Sequence, residues 1–186
     1  MSYRAARQVS QENGVKISFH PIDSGANGYY HIENNEIVIA DKKMSEAQIL
    51  KTLFHEMAHS ELHHHNDGYS RSERELQAES IAYVVANHFG IDTSEYSFSY
   101  LHNWSLDKQG YEDLENQLKV VQVESKSLIN RIDASLELVK NKTLTTNKLH
   151  SKIAQAKQKQ EQEKQLKSSE VKQEKSKKQQ QTPKEL

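Results

Sequence analysis

Apolar residues follow two rhythms along the first three quarters of this chain and then almost disappear. Residues 3–13 read as a short helix, with Ser2 placed to cap it and Gly14 suited to a left-handed stop. "VKISF" at 15–19 predicts a strand that Pro21 ends. "YYHI" and "EIVIA", rich in β-branched and aromatic residues and separated by "ENN", predict a hairpin. At Ser45 the period lengthens. Ile49, Leu50, Leu53, Phe54 and Met57 form one broad apolar face, which predicts a helix over 46–64, and "SEAQ" supplies a capping box through Gln48. After the loop "NDGYSRS", Ser70 and Glu73 repeat that box and open a helix over 71–89 that Gly90 ends. In it Ala78, Ala82 and Ala86 permit close packing, while Ile81, Val84 and Val85 demand burial. "IDTSEYSFSYLHNW" is irregular and aromatic. From Tyr111 to about Lys140 a third long helix carries Leu114, Leu118, Val121, Leu128, Ile132 and Val139 at spacings of three and four, a heptad-like stripe interrupted by Ser125 and Ser135.

Beyond Thr145 the composition changes. Residues 151–186 hold ten Lys against five Glu, a net +5, together with nine Gln, so the rest of a chain of net charge −1 carries −6. Such a segment cannot bury enough apolar surface to fold alone, and is expected to be a disordered tail or a transient single helix. The expected organisation is a folded domain over 1–108, an amphipathic helix over 109–144 that packs on it or forms a coiled coil, and a Lys/Gln/Glu tail over 145–186. There is no internal repeat.

Of the 186 residues, 34% are hydrophobic and 27% charged. A net charge of −1 gives no global field toward nucleic acid or membrane, which leaves the basic tail as the place for a nucleic-acid contact. With no cysteine in the chain, any metal must be held by His, Asp or Glu. The opening "MSYRAARQVS" lacks the apolar core of a secretory signal, and no run approaches 18 apolar residues, so a cytoplasmic protein with no membrane span is expected.

The chemistry lies in "HEMAH". On a helix, His55 and His59 share one face, so both imidazoles can reach one ion at about 2.0–2.1 Å. Glu56 lies about 100° round the helix, beside the ion rather than on it, where a carboxylate can take a proton from water. A catalytic site of this kind needs a third protein ligand and an open position. His65 has the spacing of HExxHxxGxxH, but Leu62 stands where that motif has the glycine that turns the chain back, and no methionine follows Met57. With Leu62 the helix is expected to continue and to point His65 away. Glu75 and Glu79, four apart in "ELQAE", share a face of the next helix. One would complete the ion's ligands and the other would orient a histidine. In gluzincins the ligand glutamate is often followed four residues later by the orienting group, which makes Glu75 the ligand and Glu79 the orienter, with the reverse assignment open. His63, His64 and His65 read as an exposed helix end whose cationic side chains suit the C-terminal dipole.

With both helices in view, "GANGYYHIENNEIVIADKKMSEAQILKTLFHEMAHSELHH" and "ELQAESIAYVVANHFGIDTSEYSFSYLHNW" resemble the zincin-like metallopeptidase domain of ArdC/LtrC-type antirestriction proteins of mobile genetic elements. That domain is similar in layout to the ImmA/IrrE metallo-endopeptidases. The resemblance covers roughly residues 1–105. It implies an α+β fold, a minimal gluzincin-like zincin: an N-terminal helix, a small three-stranded antiparallel or mixed sheet, the HExxH helix, the glutamate helix, then the long helix and tail. It also implies one Zn2+ per chain on His55, His59 and Glu75, Glu56 as catalytic base, and a protein or peptide substrate. Such proteins usually begin with a single-stranded-DNA-binding domain, whereas here the peptidase-like region stands first. "NEIVIA" is expected to be the strand edge that pairs with substrate, at Ile37 and Ile39. The rival expectation is a non-cleaving antirestriction or regulatory module that uses the same fold as a scaffold.

Overall fold

Ser45 and Ser70 open the two helices that matter most, and both do so with the reciprocal bonds their sequence pattern predicts. The Ser45 hydroxyl accepts from the Gln48 N–H while the Gln48 side chain accepts from the Ser45 N–H, and Ser70 and Glu73 repeat the exchange. The computed structural model describes residues 3–63, 68–92 and 111–179, with side chains over 3–63, 68–92 and 115–162. The expected cap at Ser2, His64 and His65, most of the aromatic segment after Ile91 and the Leu114 side chain lie outside those residues.

The elements are α1 (Tyr3–Glu12), β1 (Lys16–His20), β2 (Gly28–His31), β3 (Glu36–Ala40), α2 (Glu46–Leu62), α3 (Arg71–His88) and α4 (Tyr111–Gln179). The fold is α+β, with a mixed three-stranded sheet in the order β1-β3-β2. β1 runs parallel to β3 and β2 antiparallel to it. Asn35 closes the β2–β3 turn in the left-handed region at φ 47°, a conformation asparagine tolerates better than most residues. Its side chain accepts from the Tyr30 hydroxyl at 2.8 Å and donates to the Gly14 carbonyl at 3.1 Å, tying the hairpin to the end of α1.

The expectation that "NEIVIA" forms a substrate-pairing edge is overturned. β3 is the central strand, hydrogen-bonded on both sides, and Ile37 and Ile39 are fully buried. A continuous apolar run is the mark of a strand covered on both faces, so the composition of "EIVIA" suits the middle of the sheet.

α2 lies against β2 and β3 on one side and α3 on the other. Leu53, Phe54 and Met57 fill the interface, each burial contributing about 1.5–3 kcal/mol. Ala78, Ala82 and Ala86 are fully buried, as their size requires where α3 approaches closely. Val84 departs from expectation: it is 40% exposed, because the buried face of α3 runs through Ile81 and Val85.

The chain divides into two compact units, Met1–Leu138 and Val139–Leu186. The first half of α4 therefore belongs with the domain expected to end at 108. Val121, Leu128 and Ile132 join the same core as Phe54 and Ile81. Ser125 and Ser135 do not interrupt the buried stripe but lie on it, and Leu118, expected in the stripe, is 55% exposed. Arg131 fixes this half of α4: its Nη1 donates to Glu61 at 2.8 Å, and Nη2 donates to Glu61 and, at 3.1 Å, to Glu124. In the second unit α4 does not stop near Lys140. It continues through the segment expected to be a tail as far as Gln179, and every described side chain from 140 to 162 is exposed. Lys, Gln and Glu are good helix formers, so propensity alone favours this continuation.

Burial, with the Glu61 carboxylate alongside, pushes Glu124 up to about 7, partly opposed by Arg131. A carboxyl whose folded pKa exceeds its unfolded value adds stability below the unfolded value, and that stability is lost as pH rises through about 7. Glu124→Gln imitates the protonated form. Its melting temperature relative to the parent chain is expected to rise between about pH 5 and about pH 8. A constant difference across that range would show that Glu124 titrates normally.

Candidate metal centre

His55 and His59 lie one turn apart on α2, and their rings converge with Nε2 atoms 3.1 Å apart. Glu75, from the first half of α3, brings Oε2 to 3.5 Å from His55 Nε2 and 3.9 Å from His59 Nε2. These three atoms lie within 4.8 Å of one another and could hold a metal ion. A tetrahedral ion with bonds of about 2.0–2.1 Å spaces its ligands by roughly 3.4 Å, close to all three separations.

Glu79 occupies a different place. Its Oε2 lies 3.2 Å from His55 Nδ1, the ring nitrogen facing away from the cluster, and its Oε1 accepts from Lys51 Nζ at 2.5 Å. With an ion present, a His55 proton held on Nδ1 by Glu79 would leave the Nε2 lone pair to face the common point. The donor set therefore suits a divalent cation.

The charges point the same way. Burial alone would lower the His55 pKa, but hydrogen bonds to Glu75 and Glu79 and the charge of Glu56 outweigh it and push it up to about 9. Burial and the neighbouring His55 charge push His59 down. The hydrogen bond to His55 lowers Glu75. Glu79 is also lowered: burial opposes the shift, but His55 and Lys51 prevail. Glu56 is 6% exposed, and burial pushes it up to about 7 against the charge of His55 and a hydrogen bond from the Tyr30 backbone N–H. Three carboxylates thus crowd two imidazoles in a site that favours a positive charge at its centre.

The expectation of an exposed histidine end fails at His63. α2 stops at Leu62, two residues earlier than predicted, and His63 takes non-helical angles of φ −108° and ψ 89°. It is 3% exposed, with Nδ1 at 2.7 Å from His59 Nδ1 and Nε2 at 2.8 Å from Gln77 Oε1. The spacing of His55, His59 and His63, each four from the next, was the available signal.

A cleft of about 450 Å³ opens over the cluster. His55, His59 and Glu75 line it together with Tyr29 of β2 and with Arg71 and Arg74 of α3. A second cavity, about 210 Å³, shares His55 and Glu56 and reaches Lys51 and Glu79. Lys42 donates to the carbonyls of Gly25 and Ala26 at 2.8 and 3.2 Å, fixing the loop that leads into β2.

Gly28 was not singled out from the sequence, yet it sets the distance between β2 and α2. A Cβ there would lie 2.7 Å from Thr52 Cγ2, 2.9 Å from the Val38 carbonyl oxygen and 3.5 Å from Glu56 Cγ. Gly28→Val is expected to destabilise the domain by about 1–3 kcal/mol, through overpacking. Urea denaturation checks this, and an unchanged midpoint would mean that β2 does not lie against α2 this closely.

Comparison with known proteins agrees with this geometry. The model of a peptidase family described as the IrrE N-terminal-like domain matches residues 10–126, a span that contains the whole cluster. The chain is also 31% identical over 103 residues to an uncharacterized protein of Bacillus anthracis, a match covering 53% of this chain and 17% of that protein. The chain therefore matches less than a fifth of that relative's length. No solved structure gives a significant match. The chain belongs to the family of the IrrE N-terminal-like domain, and carries a metallopeptidase-like domain with a His-His-Glu group able to hold a metal ion.

Proposed function

We propose that this chain is a zinc-dependent endopeptidase in which His55, His59 and Glu75 hold the ion, Glu79 orients His55, and Glu56 is the general base. The observation carrying this reading is the convergence of two Nε2 atoms and one carboxylate oxygen beside a buried Glu56. When bound there, a divalent ion supplies Lewis acidity, polarising a carbonyl and lowering the pKa of water. Two imidazoles and one carboxylate, with a position left open, are a donor set that suits zinc.

The remaining work falls to the chain. Glu56 takes a proton from the attacking water as its oxygen bonds to the scissile carbonyl carbon. It delivers that proton to the amine nitrogen as the C–N bond breaks, so the carboxylate ends as it began. Glu56 lines the cleft beside Gly28 and Tyr30 of β2, which places the base at the cluster. Among the described residues β2 pairs only with β3, and its residues line the cleft, so the substrate-pairing role expected of β3 passes to β2. An extended peptide laid along that edge gains affinity through main-chain hydrogen bonds. The substrate is a host or element protein, and the setting is the cytoplasm of a cell carrying a mobile genetic element. That setting follows from the resemblance to ArdC/LtrC-type antirestriction proteins.

Glu56→Gln tests the reading. The zinc-loaded full chain is expected to hydrolyse fluorescently labelled casein, and the variant to be slower by about 10²–10⁴-fold with its zinc content unchanged. Cleavage at the parent rate by the variant would remove Glu56 from the mechanism. Zinc-loaded parent chain that cuts nothing, across a broad peptide library, would leave the non-cleaving module.

A further inference from the structure

We propose that His63 is a positioning residue of the metal centre. It accepts a hydrogen bond from His59, and a directed chain of hydrogen bonds anchors it to Glu73 through Gln77 and Gln117. This rests on the reading in which His59 binds the ion through Nε2.

An imidazole that gives one nitrogen to a cation must carry its proton on the other. The His59 atom facing the cluster is Nε2, so Nδ1 is the N–H. The atom 2.7 Å from it is His63 Nδ1. A proton on that nitrogen would set two N–H groups against each other, so His63 is neutral, with its proton on Nε2. From there Nε2–H donates to Gln77 Oε1 at 2.8 Å, Gln77 Nε2 donates to Gln117 Oε1, and Gln117 Nε2 donates to Glu73 Oε1 at 3.0 Å. The other oxygen of Glu73 accepts from the Ser70 N–H at 2.7 Å.

Both ends fix the direction. Reversing the amides would turn the Gln117 carbonyl oxygen toward the Glu73 carboxylate, acceptor against acceptor. Reversing the imidazole would oppose the proton that an ion holds on His59. His63, Gln77 and Gln117 are all buried, so bulk water cannot readily replace a lost member, and the His59 N–H would be left without a partner.

The two histidine ligands are therefore supported unequally. His55 donates to a carboxylate, Glu79, itself paired with Lys51. His59 donates to a neutral ring whose negative terminus lies three hydrogen bonds away. Gln117 also makes the start of α4 part of the centre, which gives a buried polar residue on that helix a role beyond packing.

The test is Zn2+ affinity of the full chain, by competition with a chromophoric chelator near neutral pH, together with histidine tautomers read from long-range 1H–15N correlation of the zinc-loaded parent chain. His63→Leu is expected to weaken Zn2+ binding by about 10–100-fold. His63→Asn, whose Oδ1 can stand in for Nδ1 as acceptor, is expected to recover most of that loss. In the parent chain His63 should be the neutral Nε2–H tautomer and His59 the Nδ1–H form. His63 protonated, or carrying its proton on Nδ1, overturns the proposal without any variant. A folded His63→Leu that binds Zn2+ as tightly as the parent also overturns it, while leaving the endopeptidase reading intact. A parent chain that binds Zn2+ no better than His55→Ala overturns the metal reading itself.

Discussion

Three carboxylates and two imidazoles crowd the side of α2 that faces α3 and β2, and the rest of the domain is arranged around that crowding of negative charge. Glu56, Glu75 and Glu79 cannot be held there without a positive charge among them. Lys51 supplies one at the rim, through Glu79. The centre, where two Nε2 atoms and one oxygen converge, asks for another. A proton on His55 meets that demand in one way, and a divalent cation held by His55, His59 and Glu75 would meet it in another.

Holding these groups together requires rigid neighbours. α2 is clamped between the sheet and α3 by Phe54, Leu53 and Met57, and the alanines of α3 let the two helices approach closely enough for Glu75 to reach across. Gly28 does the equivalent on the opposite wall, where any side chain would hold β2 off α2. The paired capping boxes fix where each helix begins and hence the register of every side chain on it. Arg131, through Glu61, binds α4 to the C-terminal end of α2, near the residue where the chain turns out of the helix.

Much of this is legible in the sequence where a local rule governs. The capping boxes, the HEMAH face and the "ELQAE" pair each depend on residues within a few positions of one another, and the structure places them accordingly. Where tertiary context decides, the sequence misleads. "EIVIA" reads as a strand, but only the fold says that it lies between two others, and so cannot offer an edge. Ser125 and Ser135 break an apolar pattern on paper and lie buried on α4 in the structure, where their size suits close packing. Val84 sits among buried neighbours and still faces outward. His63 reads as a polar helix end until the backbone leaves the helix and turns its ring onto His59. Gln77, between two glutamates, gives no local hint that it is fully buried.

The number and kind of ligands around the ion decide the matter most directly. X-ray absorption at the zinc edge of the metal-loaded chain should show two imidazole nitrogens and oxygen donors at about 2.0–2.1 Å. Three or more imidazoles would mean that the histidines after Leu62 capture the ion instead of Glu75, and would contradict the convergence of the two helices on one site.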